Sequence, residues 1–479
     1  MLTYEDFLAC GEDEAKKRNF ITTAISEHVN SEAYRKAIEA QAYCDGENPT
    51  INHYEKLLYD MQGKAHADMW SANHKIASQF YTKAVNQEVA YLLGNGVRFS
   101  NSDTKKKLGK TFDQKVMRAE IYARIAGQSY GFWNFDHVDV FKFSEFVPIK
   151  GEETGAIMLG IRFWRLAPEK PMRITLYEID GFTEYKQEKK GNLEIFKEKR
   201  AYKIKTVKTE AGDVEIQEGE NYKGFPIVPL YANEEHKSSL NGKRNTIDAL
   251  DIARSGMVNN VTEGELIYWV LTNCGGMDDL DDAQFIERLH TTHIAHANGD
   301  ADAKAEAHTI EAPINASKVT VDDLRQSLYD DFDAFDAKAV TASNQSATAV
   351  KASYVPLDLK CDIVIEPQVT EFILRILELA GIDDEPTYQR NQIINKSEET
   401  QTLVMQAQFF TEEYIREKLL AINGDIDMLD EINKQIDAEN VKRLKEAEER
   451  LAELESEKAA QSEKGSTPVE ADNEEGADA

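Results

Sequence analysis

Cysteine, basic charge and long apolar runs are the three things this chain has little of. Its four cysteines (Cys10, Cys44, Cys274 and Cys361) are scattered over 479 residues without a CxxC pair. That spacing offers no cysteine-built metal site or disulfide framework and fits reduced thiols in or near cores. No segment approaches the roughly 18 consecutive apolar residues of a membrane span. The first residues, MLTYEDFLACGEDEAKK, carry acids where a signal peptide has a basic start and an apolar run. The expectation is a soluble, intracellular protein with no membrane partner. Lys and Arg number 56 against 86 Asp and Glu, a formal net charge of -30. Part of that excess lies in the tail, where Asp437–Ala479 holds 14 acids and 6 bases. Such a deficit of cations argues against tight binding to phosphates. It is compatible with DNA that must slide past, since like charge weakens sticking.

The motifs of chemistry are also missing. KKLGKT (Lys106–Thr111) ends like a phosphate-binding loop, but Thr104 stands where the first glycine belongs and no apolar strand precedes it. No GxSxG elbow occurs. HTTHIAH sets His290, His293 and His296 three apart, which on a helix spreads them over more than half the circumference with no cysteine to complete a metal set. Acid pairs such as Asp278–Asp279, Asp330–Asp331 and Asp383–Asp384 are too frequent for any one to mark a two-metal centre. No catalytic residue, cofactor or metal ligand is assigned, and the chain is expected not to be an enzyme.

What is present is a succession of patterned segments. Residues 1–66 read as charged helices broken at Glu47–Thr50. Met69–Gly96 carries Ile76, Phe80, Ala84, Val89 and Leu92 as one apolar helical stripe, with Gly94 and Gly96 as its stop. Lys105–Tyr130 predicts a further helix pair. From Phe132 to Tyr231 the period becomes two, rich in aromatic and β-branched residues, which predicts an antiparallel sheet of hairpins. Two long helices follow, Arg244–Leu271 and Val319–Val340, with an acidic, His-bearing insert between them. In the second, Ser317 or Thr320 can cap the start. Leu324, Leu328, Phe332 and Phe335 share one face, and Asp322, Asp323, Asp330, Asp333 and Asp336 lie broadly opposite. That acidic side is either a solvated face or the wall of a cavity shared by an assembly. The run TASNQSATAVKAS (Thr341–Ser353) is either an ordinary loop or a contact for a moving surface. Ser353–Ile382 contains two prolines and predicts a bent or interrupted helix. PTYQRNQIIN is a strand candidate returning to the sheet region. Helices follow from Ser397, and the end from Gln461 is expected to be disordered.

Taken in order, ANHKIASQFYTKAVNQEVAYLLGNGVRFS (Ala72–Ser100), ARIAGQSYGFWNFD (Ala123–Asp136), FPIVPLYANEEHKSSLNGKRNTIDALDIARSGMVNNV (Phe225–Val261) and SATAVKASYVPL (Ser346–Leu357) resemble the SPP1-type family of tailed-bacteriophage portal proteins. The likeness covers roughly residues 30–430; one departure is TASNQ, where family members often carry glycine. It implies an α+β fold: an elongated portal subunit with a mixed α/β wing (1–240), a two-helix stem (241–271 and 319–340), a small α/β clip (272–318) and a tunnel-loop region (341–352). A kinked helix with a return strand (353–396), helical crown (397–460) and acidic tail (461–479) would complete it. It further implies a ring oligomer of about twelve copies at one capsid vertex, assembled in the host cytoplasm and carried in the virion. Through that ring double-stranded DNA would be packaged and ejected. The implied partners are the terminase large subunit, the major capsid and scaffolding proteins and a head–tail adaptor. Thr341, Ala342, Ser343, Asn344 and Gln345 would form the tunnel loop, and Asp323, Asp330 and Asp333 would face the channel. The alternatives left open by the residues are a metal-dependent nucleic-acid enzyme and a helical scaffold built on the tail.

Overall fold

The computed structural model describes residues 2–59, 62–68, 71–189, 191–209, 212–264, 267–272, 304–309, 314–338, 347–391, 396–423 and 428–463. The chain forms two units, Met1–Gln392 and Ile393–Ala479, and the architecture is α+β.

The first unit begins with α1 (Tyr4–Ala9), α2 (Glu14–Asn30), α3 (Glu32–Asp45) and α4 (Pro49–Asn52). Each starts on a side-chain cap from Thr3, Asp13, Ser31 or Asn48, which supplies an acceptor to amides the helix cannot satisfy. A short hairpin, β1 (Leu57–Tyr59) with β2 (Ala65–Ala67), precedes α5 (Phe80–Leu93) and β3 (Val97–Phe99). Then come α6 (Ser102–Leu108) and α7 (Phe112–Ala126), which ends at Gly127 in the left-handed conformation. A Cβ there would stand 2.3 Å from the His236 carbonyl oxygen, so glycine is needed twice over.

The predicted period-two region is two antiparallel sheets and a ribbon. β4 (Gln128–Asn134) and β5 (His137–Lys142) form a three-stranded sheet with β13 (Ile227–Tyr231) on the edge, where Pro229 costs no ladder bond. β6 (Phe146–Lys150), β7 (Ile157–Trp164), β8 (Met172–Glu178), β9 (Gly181–Gln187) and β10 (Leu193–Arg200) run as a five-stranded meander. β11 (Lys203–Thr209) and β12 (Gly212–Glu220) pair as a separate ribbon. The meander buries Leu159, Ile161, Ile174 and Leu176 against Phe7, Phe20 and Ile21 of the first two helices. The three-stranded sheet lies in the largest core, with residues from α7 and the long helix described below.

Beyond the sheets run α8 (Arg244–Gly264), the hairpin β14 (Ile267–Thr272) with β15 (Lys304–Thr309), and α9 (Ile314–Asp331). α10 (Ala347–Ser353) and α11 (Val355–Lys360) lead through a π-helical turn, Cys361–Ile365, into α12 (Glu366–Ala380). The predicted interruption is therefore present, and Pro367 explains its place: it has no amide to give the helical ladder, and the Glu366 amide reaches five residues back to Cys361. The Phe372 ring of α12 seats directly on Gly131 of β4, where a Cβ would stand 2.5 Å from it. Of the strand expected from PTYQRNQIIN, β16 (Pro386–Tyr388) is present, and it pairs with β3, not with the sheet region to which it was expected to return.

The second unit contains α13 (Lys396–Gln406), a 3-10 turn at Ala407–Phe409, α14 (Glu412–Asn423) and α15 (Leu429–Glu463).

Several expectations need correction: Leu57–Tyr59 and Ala65–Ala67 are the strands of a hairpin within the stretch read as charged helices, and β4 begins at Gln128 inside the predicted helix pair. Residues 71–79 are not helical, so the stripe predicted from Met69 starts only at Phe80 and Ile76 lies outside it. The first long helix stops at Gly264, and the β-branched and aromatic run IYWVLT that was read into it is strand β14, paired residue by residue with β15. The second starts five residues early at Ile314 and ends at Asp331, not Val340. Thr320 consequently does not cap; its hydroxyl donates to the Ala316 carbonyl at 3.1 Å inside the helix. Thr341, Ala342, Ser343, Asn344 and Gln345 lie outside the described residues, as do the three spaced histidines, Cys274 and residues 464–479.

Candidate functional site

The helix pair α8/α9 is the element on which the functional expectations converge. Ile247 and Leu250, early in α8, pack with Leu328 and Phe332 at the end of α9, so the two helices run antiparallel. Their shared base is set into Tyr43 of α3 and Phe80, Tyr81, Ala84 and Val85 of α5.

A second attachment runs up α8. Asp251, Ser255 and Asn259 stand four residues apart and are all buried. The Ser78 amide donates to Asp251 Oδ1 at 3.0 Å, the Ile76 amide to Ser255 Oγ at 3.0 Å and the His74 amide to Asn259 Oδ1 at 2.7 Å. Four residues of helix advance about 6 Å and two residues of extended chain about 6.5 Å. The two periods match, so a helix holds an extended segment much as a neighbouring strand would. This is why residues 71–79 abandon the helix their sequence suggests: three of their amides are satisfied by α8 instead of by their own preceding turn. Asn48 Nδ2 adds bonds to Asp248 Oδ1 at 3.0 Å and Asp251 Oδ2 at 2.8 Å. Burial pushes the Asp251 carboxyl up, and the bonds from Asn48 and Ser78 oppose that.

At the base, the end of α9 meets the kinked helix. The Ala334 amide donates to the Tyr329 carbonyl at 2.9 Å and the Asp333 amide to that of Asp330 at 3.2 Å, with Asp333 at φ 53°. This is a Schellman stop with aspartate in the place usually held by glycine, which is why no glycine announced it. Lys360 Nζ donates to Glu88 Oε1 at 2.9 Å and to the Phe332 carbonyl at 2.7 Å, and stands 3.6 Å from Asp333 Oδ2. Lys243 lies over the Phe332 ring at 4.2 Å, and burial together with the nearby Lys360 brings its ammonium down to about 8. Next to Glu88, the fully buried Glu120 accepts from Arg124 Nε at 2.6 Å. Burial raises the Glu120 carboxyl against the pull of Arg124. Further along, Arg390 binds Cys361 Sγ, Asp362 and Glu366, bracing the π turn from outside. Burial pushes the Cys361 thiol up to about 12, a value that makes it unreactive.

The acidic side of α9 is divided by these contacts. Asp322, Asp323, Asp330 and Asp331 are exposed, and Asp330 only takes Gln326 Nε2 at 3.3 Å. Asp333 lies past the helix end beside Lys360, and Asp336 accepts both Arg325 bonds at 2.8 and 3.0 Å. The helical wheel that grouped all five acids assumed a helix continuing to Val340, so it misplaced the last two. The chain leaves this base at Phe335 and returns at Tyr354, whose rings stack at 4.2 Å with 9° between planes. These two residues bracket the segment that holds the expected tunnel loop.

Elsewhere, the KKLGKT segment joins two helices, not a strand and a helix, and Thr104 is engaged with Asp384 at 2.7 Å. Among the described residues no group of three or more His, Cys, Asp or Glu is placed to hold a metal ion. No helix among them is long and apolar enough to cross a membrane. Sequence reasoning missed the Asp251–Ser255–Asn259 row and Lys360. The only signal for the row was a polar residue at every fourth position of α8, which reads equally as a solvated face.

Within the first unit, then, two antiparallel helices share a base with the interrupted helix α11–α12. The family described as phage portal protein, SPP1 Gp6-like, matches residues 173–450, more than half of the chain, and the chain belongs to it. It is 22% identical over 398 residues to the portal protein of Clostridium phage phiCD119, covering 78% of this chain and 86% of the relative. It is likewise 22% identical over 417 residues to the portal protein of Bacillus phage SPP1, covering 80% of each. The chain is thus a bacteriophage portal protein, a structural component of the virion.

Proposed function

We propose that the protein closes into a ring of about twelve copies at one capsid vertex, forming the conduit through which double-stranded DNA is packaged and later ejected. In this reading residues 1–240 are the wing, α8 and α9 the stem, the segment around β14 and β15 the clip, α10–α12 the kinked helix, and α13–α15 the crown. The clip would meet the terminase large subunit during packaging and the head–tail adaptor afterwards. Capsid and scaffolding proteins would meet the outer body.

The observation that carries this reading is the asymmetry of α9. One face, through Leu328 and Phe332, is sealed into the base, while Asp322, Asp323, Asp330 and Asp331 are exposed. An acidic wall repels phosphate and lets a duplex pass without adhering. Asp323, Asp330 and Asp333 would face the channel, Asp333 standing also 3.6 Å from Lys360 Nζ. Thr341–Gln345 would form the tunnel loop that meets the moving DNA.

Negative-stain images of the purified protein provide the first test, and particles with a central hole are expected. The second is the double variant Asp323→Lys/Asp330→Lys, which should form rings normally yet stall packaging. Normal packaging by that variant would remove these residues from the channel wall. A magnesium-dependent DNA cleavage activity would favour a nucleic-acid enzyme instead.

A further inference from the structure

Three atoms in the core between α5 and α7 have unused hydrogen-bonding capacity. Glu88 on α5 and Glu120 on α7 are both 0% exposed, and Arg124 on α7 is 2% exposed. Apolar neighbours flank them on their own helices: Val85, Val89 and Leu92 beside Glu88, and Val116, Ala119 and Ala123 beside the α7 pair. One oxygen of each carboxylate is engaged. Lys360 Nζ donates to Glu88 Oε1 at 2.9 Å, and Arg124 Nε donates to Glu120 Oε1 at 2.6 Å. Glu88 Oε2, Glu120 Oε2 and Arg124 Nη2 are sealed from solvent, and none has a hydrogen-bond partner among the described residues. Glu88 is near enough to act through its charge on both Glu120 and Arg124, so the three atoms belong to one neighbourhood. Buried polar atoms are satisfied in the great majority of cases, and a buried charged group is costlier still to leave unmet.

Chemistry narrows what can satisfy them. The set offers two acceptors and one donor. A cation would suit the two oxygens but face the Arg124 guanidinium and the Lys360 ammonium. An anion would suit Arg124 but face both carboxylates. A proton shared between the carboxyl groups would leave Arg124 Nη2 unmatched. Nor does charge call for an ion, because Arg124 and Lys360 already balance Glu88 and Glu120. Water can donate to both oxygens and accept from Arg124 Nη2, which makes about three hydrogen bonds, as an internal water typically does. We propose that Glu88, Glu120 and Arg124 form a binding site for a single water molecule. It lies at the joint between the α5/α7 core and the foot of α9, because the other bond of Lys360 goes to the Phe332 carbonyl at 2.7 Å. The bound water holds the Glu88 carboxylate in place against Lys360, and so continues one polar chain from α7 to the end of α9.

The test is a crystal structure of the full chain at a resolution that shows ordered solvent, with a second crystal soaked in rubidium bromide. A solvent peak is expected about 2.6–3.2 Å from Glu88 Oε2, Glu120 Oε2 and Arg124 Nη2, with no anomalous signal from rubidium or bromide at that place. An anomalous peak there would overturn the proposal in favour of an ion. Absence of any peak would overturn it too, and carboxylates in direct contact would then identify a shared proton. Glu88→Gln should keep the peak, since its amide can donate where the carboxylate accepted and water can accept twice. Loss of the peak in that variant would mean a ligand that needs two anionic oxygens, as a cation does, and the proposal would fail. In solution, the slow-water amplitude in oxygen-17 relaxation dispersion should fall by the equivalent of one molecule in Glu120→Leu/Arg124→Met. That variant removes two of the three partners without stranding a charge, and an unchanged amplitude would count against the site.

Discussion

Removing the three acceptors on α8 should release the segment they hold. In Asp251→Ala the Ser78 amide loses a carboxylate acceptor in a fully buried setting, and Asn48 Nδ2 loses one of its two acceptors. A hydrogen bond to a charged group contributes about 1.5–3 kcal/mol, and an orphaned buried donor costs about 1–3 kcal/mol, so a loss of about 3 kcal/mol is expected. Ser255→Ala and Asn259→Ala strip half-buried and exposed amides, Ile76 and His74. Water can partly replace those partners, so about 1 kcal/mol each is expected. The direct measurement is amide exchange at Ser78, Ile76 and His74, because each 1.4 kcal/mol of lost protection is a tenfold faster rate. The ordering should be Ser78 most affected and His74 least. If all three amides in the triple variant exchange as slowly as in the wild type, the side chains do not hold the segment and the period-matching argument fails.

Other expectations follow from the buried charges and close contacts. Lys243, normally near 10.5, titrates at about 8 in the fold. Below pH 8 the folded state bears the cost of a desolvated ammonium, and that cost fades as pH rises from 8 toward 10.5. Lys243→Met should therefore stabilise the first unit at pH 7 by about 1–3 kcal/mol, with the gain shrinking above pH 8 in denaturant titrations. Glu120→Ala should cost about 3–5 kcal/mol by stranding Arg124, whereas Glu120→Leu/Arg124→Met should lose much less; equal losses would mean the pair is not mutually dependent. His28 is buried with Nε2 at 2.9 Å from the Phe143 carbonyl, and burial holds its pKa below 6.5. Stability should thus fall as pH drops below 6.5, and His28→Gln should flatten that slope in thermal melts. Gly131→Ala should cost about 1–3 kcal/mol by forcing the Phe372 ring off the sheet, read as a lower unfolding midpoint.

Much of this architecture was legible in the residues. The change from helical period to strict alternation after Phe132 located the sheets, because a half-buried strand must alternate. Leu324, Leu328 and Phe332 gave the buried face of α9, and the two prolines gave the break before α12. Two of the failures share one physical origin, which is partners far away in sequence. IYWVLT was read as helix because a short apolar run is ambiguous until its pairing strand, Lys304–Thr309, is known. Residues 71–79 have helical spacing, but their amides find acceptors some 180 residues further on. Asp333 ends α9 in a conformation that glycine would have advertised and aspartate did not. Of the candidate site, Asp323 and Asp330 were legible as an exposed acidic face. The intramolecular brackets at Asp333 and Asp336 were not, since a wheel cannot show where its helix stops.

The wide turn at Cys361–Ile365 has a consequence for how this protein can change over time. It accommodates one residue more than an ordinary helical turn, so losing Asp362 or Ile363 would convert it to plain helix. Because the turn already absorbs that extra residue, its five residues sweep nearly the same angle as four of ordinary helix, so Phe372 would stay over Gly131. The turn is therefore a place where the long helix can lose one residue and keep its docked face, and lineages differing by one residue at this point should seat it the same way.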